Sequence, residues 1–182
     1  MKNMFSAISY YVFDDKLANG YKGFMERYPI LFRDRSKPMN ETCMCWGIEC
    51  PHGWYNILEA LCNFLEYQNI EVAKYGISIV ADQVKEKFGT LRFYYHISDD
   101  GCSVPGINEG MKDVVKGYLE NLVDGAISDA EDLTASTCAD CGRRLDEENT
   151  VETKGWITYI CKSCDEKRQA KYKELAEKSK NS

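Results

Sequence analysis

Four of the nine cysteines in this chain are spaced as metal ligands. Cys138 and Cys141 in TCADCG, and Cys161 and Cys164 in YICKSC, are each two residues apart, with 19 residues between the pairs. A C-x-x-C turn sets two thiolates about 3.5–4 Å apart, and two such turns complete a tetrahedral Zn2+ site with metal–sulfur bonds near 2.3 Å. Gly142 suits the tight knuckle after the first pair, and Gly155–Tyr159 reads as a strand leading into the second. A closed four-cysteine site leaves no position for water, so the Zn2+ is expected to be structural. It replaces a core that a segment of about 30 residues cannot build alone. Two other readings compete. Disulfides need an oxidising compartment, and a redox pair wants its C-x-x-C at a helix start in a thioredoxin-like βαβ context. The sequence pattern offers neither.

A second group, Cys43, Cys45, Cys50 and His52 in ETCMCWGIECPHGWYN, is a candidate second metal site. Its C-x-C-x4-C-x-H spacing is not diagnostic, and burial as small hydrophobes is the competing reading. Cys62, on a helix face, and Cys102, in a loop, read as bystanders. The segment VKEKFGTLRFYY mixes Lys85, Lys87 and Arg92 with Phe88, Tyr94 and Tyr95. Such a mixture can form a stacking and phosphate platform for single-stranded nucleic acid, or simply the solvated face of a hairpin. The same choice applies to Lys167, Arg168, Lys171 and Lys173 in the tail: phosphate contacts, or a solvated helix. Catalytic signals are weak. His52 and His96 lack a Ser, Cys or Asp partner at a recognisable spacing, and no phosphate-cradling glycine loop is present. Asp82, Lys85 and Glu86 make a poor version of a metal-nuclease cluster. The reading leans against an enzyme.

These groups need elements to position them. Leu17, Tyr21, Phe24 and Tyr28 recur at helical spacing and predict a helix over Asp14–Tyr28, stopped by Pro29. RDRSKPMNE at Arg33–Glu41 reads as a linker. Ile57, Leu58, Leu61, Phe64 and Leu65 predict a second helix from Trp54 to about Gln68. The period then changes to two: Leu91, Phe93 and Tyr95 fall on one side, with Arg92, Tyr94 and His96 on the other. With a preceding strand near Ile77–Lys85 and a Phe88-Gly89-Thr90 turn, that alternation predicts a hairpin. From Ile107 to about Leu133, Met111, Val115, Tyr118, Leu122, Ala126, Ala130 and Leu133 predict a long amphipathic helix. Its exposed face would hold Glu109, Asp113, Glu120, Asp124, Asp129 and Glu131.

The expected architecture is therefore α+β: a small antiparallel hairpin packed on helices, a long acidic helix and a C-terminal four-cysteine zinc ribbon. The expected divisions are an N-terminal helical segment and linker (1–40), an α+β body (41–135), the ribbon (136–168) and a charged tail (169–182). Charge is uneven. Residues 99–152 carry 14 acidic against 4 basic side chains, whereas the whole chain is −6. That excludes a basic nucleic-acid coat. No apolar run reaches the roughly 20 residues of a membrane span, and MKNMFSAISYYVF lacks a cleavage pattern for secretion. The expected location is a reducing cytoplasm, with no membrane partner.

Three blocks, CMCWGIECPHGW at 43–54, VKEKFGTLRFYY at 84–95 and the CxxCG…GW…CxxC ribbon at 138–164, resemble a group of uncharacterised proteins encoded by phages and prophages. The middle block, a VKEKFGxLRFY motif, is the most specific and matches at Val84–Gly89 and Leu91–Tyr94. The resemblance covers about two-thirds of the chain; at position 52 an acidic residue is commoner than histidine. It implies a phage or mobile-element origin and a zinc ribbon on an α+β body, and supplies no activity. The leading expectation is an interaction protein that binds a host macromolecule, a CRISPR or other defence nuclease above all, in the manner of an anti-CRISPR protein. The acidic segment, with Glu120 and Asp124, would enter a cationic groove. The alternatives are a nucleic-acid-binding module using Lys85, Lys87, Arg92 and Tyr94, and a metal-dependent nuclease.

Overall fold

A computed structural model describes residues 21, 23–99, 101 and 103–180. In chain order the elements are β1 (Ile48–Glu49), α1 (Tyr55–Val72), β2 (Ser78–Lys87), β3 (Thr90–Ser98), α2 (Glu109–Ala135), β4 (Thr150–Glu152), β5 (Tyr159–Cys161) and α3 (Lys162–Lys180). The fold is α+β, as expected, with a four-cysteine ribbon after the long acidic helix.

The hairpin forms because side chains alternate across a strand and one side of this one is apolar. Leu91 and Phe93 are buried with Val84 beneath the sheet, while Lys87, Tyr94 and His96 are exposed. β2 and β3 pair antiparallel from Ser78↔Ser98 to Lys87↔Thr90, with a bulge at Asp82 between Ala81 and Gln83. The two-residue turn holds Phe88 at φ 54° and Gly89 at φ 79°. Two consecutive left-handed residues match the right-handed twist of a tight hairpin. Phe88 accepts that strained conformation with an exposed ring. One strand departs from the expectation: β1 adds to the outer edge of β2 in parallel register, Ile48↔Val84. It is only two residues long, too short for any periodicity to register.

Helices α1 and α2 cover the inner face of the sheet. α1 buries Ile57, Leu58, Leu61 and Leu65 as the pattern predicts, and runs on to Val72. Asn69, fully buried, explains the extension. Its amide donates to the Ile79 carbonyl (3.0 Å) and accepts from the Ile79 N–H (2.6 Å), standing in for a neighbouring strand. Asn108 caps the start of α2, its side chain accepting the Met111 N–H at 3.0 Å. Its buried stripe is Leu119, Val123, Ala126, Ile127, Ala130 and Thr134, so Met111 and Tyr118 are exposed rather than buried. The two stripes share Ala126 and Ala130 and are both helically spaced, so periodicity alone could not choose between them. Glu109, Asp113, Glu120, Asp124 and Asp129 are exposed as expected.

Most of the expected Asp14–Tyr28 helix, including Leu17, lies outside the described residues. Its described end is not α-helical: Gly23 sits at φ 70° and only Met25–Arg27 makes a 3-10 turn. The segment is nevertheless part of the body. Phe24, Tyr28, Leu31 and Phe32 are buried in the same core as α1 and α2. The Glu66 carboxylate of α1 accepts both the Ile30 and Leu31 N–H groups, at 3.0 and 2.9 Å. Within the expected linker, Arg33–Ser36 forms a further 3-10 turn.

Two substitutions test this arrangement by urea denaturation. Asn69→Ala leaves both polar groups of Ile79 without their partner and is expected to cost about 2–3 kcal/mol. Gly117→Ala, where an added methyl meets nothing within 4 Å, is expected to stabilise α2 by about 0.5–1 kcal/mol.

Candidate metal centre

The ribbon is short on core. Its buried cluster is Cys138, Ala139, Leu145, Ile160, Cys161 and Cys164. β4 and β5 pair over three residues, Thr150↔Cys161 to Glu152↔Tyr159. The expected strand over Gly155–Tyr159 forms only at its last residue, because Gly155 turns the chain at φ 88°. In the first knuckle the Gly142 N–H donates to the Cys138 carbonyl (2.9 Å), and Gly142 lies at φ 70°, as a tight turn requires. The second pair spans the end of β5 and the first turn of α3. A helix start is one of the two marks of a redox C-x-x-C, but the βαβ context is absent and this pair faces the other knuckle.

The ligand atoms of Cys138, Cys141, Cys161 and Cys164 all lie within 4.8 Å of one another. The Cys141 and Cys161 sulfurs are 3.7 Å apart, close to the roughly 3.8 Å edge of a thiolate tetrahedron with 2.3 Å bonds. None of these four cysteines is in a disulfide. The Cys161 N–H donates to the Cys138 sulfur at 3.2 Å, an amide aimed at a developing thiolate. Burial raises the Cys161 thiol pKa. The Ser163 hydroxyl, the Cys164 amide and the neighbouring thiols more than offset this and bring it down to about 6. Burial, then the Cys141 and Cys161 thiols, push Cys164 well up. Burial likewise raises Cys141. One thiolate is thus favoured at its neighbours' expense, and only a cation among the four lets all of them ionise. The donor set fits a tetrahedral metal ion.

The ribbon is seated on the body by contacts from the other two sequence blocks. Gly53 donates its N–H to the Ala139 carbonyl at 2.8 Å. A Cβ on Gly53 would lie 2.2 Å from the Cys138 carbonyl oxygen, so no other residue fits against the knuckle. The Trp54 indole N–H donates to the Thr137 carbonyl (3.2 Å). At the hairpin tip the Glu86 carboxylate accepts the Gly89 N–H (2.7 Å) and, on its other oxygen, the Trp156 indole N–H. A Cβ on Gly89 would meet the Tyr159 ring at 2.5 Å. Sequence reasoning missed Gly53, Glu86 and Trp156 as seam residues: Gly53 and Trp156 stand at no periodic or ligand-like position, and Glu86 reads there only as a weak nuclease carboxylate.

The remaining candidates are not gathered. Among the described residues, only the 138–164 cysteines form a cluster that could hold a metal. Cys43 and Cys45 are exposed, and the Cys45 thiol donates to the Thr42 carbonyl (3.3 Å). Cys50 is half-buried, its thiol raised by burial, and the His52 ring stacks on Tyr21. Neither a second site nor uniform burial describes the group. Cys102 lies outside the described residues. Lys85, Arg92 and Tyr94 share the outer hairpin face, where the Lys85 ammonium lies 5.7 Å from the Tyr94 ring centre. Arg92 also reaches Glu131 at 3.6 Å. Tyr95 is on the opposite face and donates to Asp124 (2.7 Å). The nuclease cluster is split: Asp82 pairs with His96 (2.8 Å), while Glu86 is turned into the seam. Lys167, Lys171 and Lys173 are exposed on α3, and Arg168 is paired with Asp140. No helix among the described residues is long and apolar enough to cross a membrane.

Freshly purified reduced protein is expected to carry one metal ion per chain by elemental analysis, and Cys138→Ser or Cys161→Ser to lose it. Gly53→Ala is expected to cost at least about 2 kcal/mol, measured by urea denaturation of the metal-loaded protein. No protein-family model, curated protein or solved structure matches this chain.

Proposed function

We propose that the metal is Zn2+, that its role is structural, and that the protein acts by binding another macromolecule rather than by catalysis. Four soft thiolates in a tetrahedron suit Zn2+, whose d10 shell imposes no other geometry. With every position filled by sulfur, the ion has none left for a reacting water.

The observation that carries the binding reading is the outward face of α2. Val114 is 73% exposed and Tyr118 is 67% exposed, with Met111 beside them and Asp113, Glu120 and Asp124 exposed along one flank. An aromatic and aliphatic centre with a charged rim is the anatomy of a protein interface. Its acidic sign fits a cationic groove, and attraction of that kind speeds association and weakens with salt. A nucleic-acid-binding groove has that charge. In the phage setting that the three sequence blocks imply, the partner proposed is a host defence nuclease, with the location the host cytoplasm.

A second reading rests on the outer hairpin face. There Lys85 lies over Tyr94 and Lys87 over Phe88, at 5.7 and 5.3 Å, a pairing of cations and rings that suits a single strand.

Affinity capture from nuclease-treated host lysate, at low and high salt, tests the first reading. The expected result is a nucleic-acid-binding protein whose capture falls at least tenfold with the Asp113→Lys, Glu120→Lys double variant and with added salt. A shift of a labelled oligonucleotide by the protein alone at moderate salt, lost in the Lys85→Ala, Tyr94→Ala variant, would favour the second reading instead.

A further inference from the structure

The seam between body and ribbon is also a groove. It encloses about 1110 Å3 and is walled on the body side by His52 and Glu86 and on the ribbon side by Asp140, Trp156 and α3. All three sequence blocks contribute to it. That volume exceeds the roughly 300–1,000 Å3 of an ordinary small-molecule pocket, so it has room for several side chains of an extended peptide.

Trp156 is the unusual member. It is 72% exposed, yet its indole N–H is held by the Glu86 carboxylate, itself only 9% exposed. A large ring fixed at one edge and left open to the groove has lost its freedom without gaining cover. Bound partners exploit such pre-ordered rings at little entropic cost. Tyr172 of α3 presents a second exposed ring along the wall. Thr158, only 7% exposed, also lines the groove, and its hydroxyl has no hydrogen-bond partner in the protein.

The charges choose the ligand. Arg168 is committed to Asp140 through both of that carboxylate's oxygens. The lining charges that remain are the carboxylates of Glu86, Glu152 and Asp165 and the ammonium of Lys154. Phosphate is therefore disfavoured, and a cation over an aromatic face with carboxylates nearby is favoured. We propose that this groove binds an arginine- or lysine-bearing peptide segment of a partner protein, with the cationic side chain seated on Trp156. The site is separate from the α2 face and stands or falls independently of it.

The test uses the full-length, metal-loaded protein and an N-acetylated, C-amidated peptide of alternating arginine and glycine, titrated by calorimetry and by tryptophan fluorescence. Saturable binding is expected, with at least tenfold loss in Trp156→Leu and in the Glu152→Lys, Asp165→Asn double variant. The double variant leaves the Trp156–Glu86 contact in place, so it reports on charge even if Trp156→Leu loosens the ribbon. Glu120→Lys, on α2, is expected to change nothing. The proposal is overturned if the peptide does not bind at millimolar concentration, or binds equally well to the double variant. It is also overturned if binding is lost with Glu120→Lys, or if an oligothymidylate occupies the groove in preference to the peptide.

Discussion

Four thiols held within 4.8 Å in a segment with only six buried residues in its core cluster impose a constraint that reaches beyond the ribbon. Thiolates so close repel one another, and neutral thiols make weak hydrogen bonds, so neither state alone closes the two knuckles. A cation reverses the balance by attracting all four sulfurs at bond distance, and folding of the ribbon becomes part of the binding equilibrium. The Ala139 carbonyl, to which Gly53 donates, and Trp156, held by Glu86, both lie on the segment that the two knuckles close. A bound ion's influence would pass to the body by backbone contact at Gly53, where a single methyl would collide with the knuckle.

The seam gives a reason for the composition of the hairpin tip. Glu86 lies on the inner side of β2 and would be an expensive buried carboxylate without partners. It has two: the Gly89 N–H, which fixes the left-handed turn, and the Trp156 indole, which fixes the ribbon. Lys85 and Lys87, its neighbours in sequence, point the other way, where they lie beside Tyr94 and Phe88. One short run of alternating charge thus serves two faces with different duties. The body has a similar economy in Glu66, which holds the segment before α1 through two backbone N–H groups.

Much of this is legible in the sequence. The cysteine spacing locates the ribbon because ligand geometry is local to each C-x-x-C. The period change near Leu91 locates the hairpin because one side of it is buried. The departures have physical causes. The stripe of α2 differs from the expected one because Tyr118 and Leu119, both apolar, lie on different faces, and only packing against β3 decides which one is covered. The N-terminal segment reads as a helix because Tyr21, Phe24 and Tyr28 are helically spaced. They are indeed packed inward, through a 3-10 turn that Gly23 permits. The seam has no sequence signal, since Gly53, Glu86 and Trp156 are far apart along the chain and meet only once the ribbon has folded.

The central claim is that the metal fastens the ribbon, and through it the seam, while the body stands on its own core. Hydrogen exchange before and after removal of the ion by a strong chelator in reducing buffer measures this most directly. The account predicts that amides of residues 137–162, together with Gly53 and Gly89, lose protection, while Leu58–Val72 of α1 and Ile79–Val84 of β2 keep theirs. Unchanged protection across the ribbon after complete metal removal, or simultaneous loss throughout α1 and β2, would contradict it.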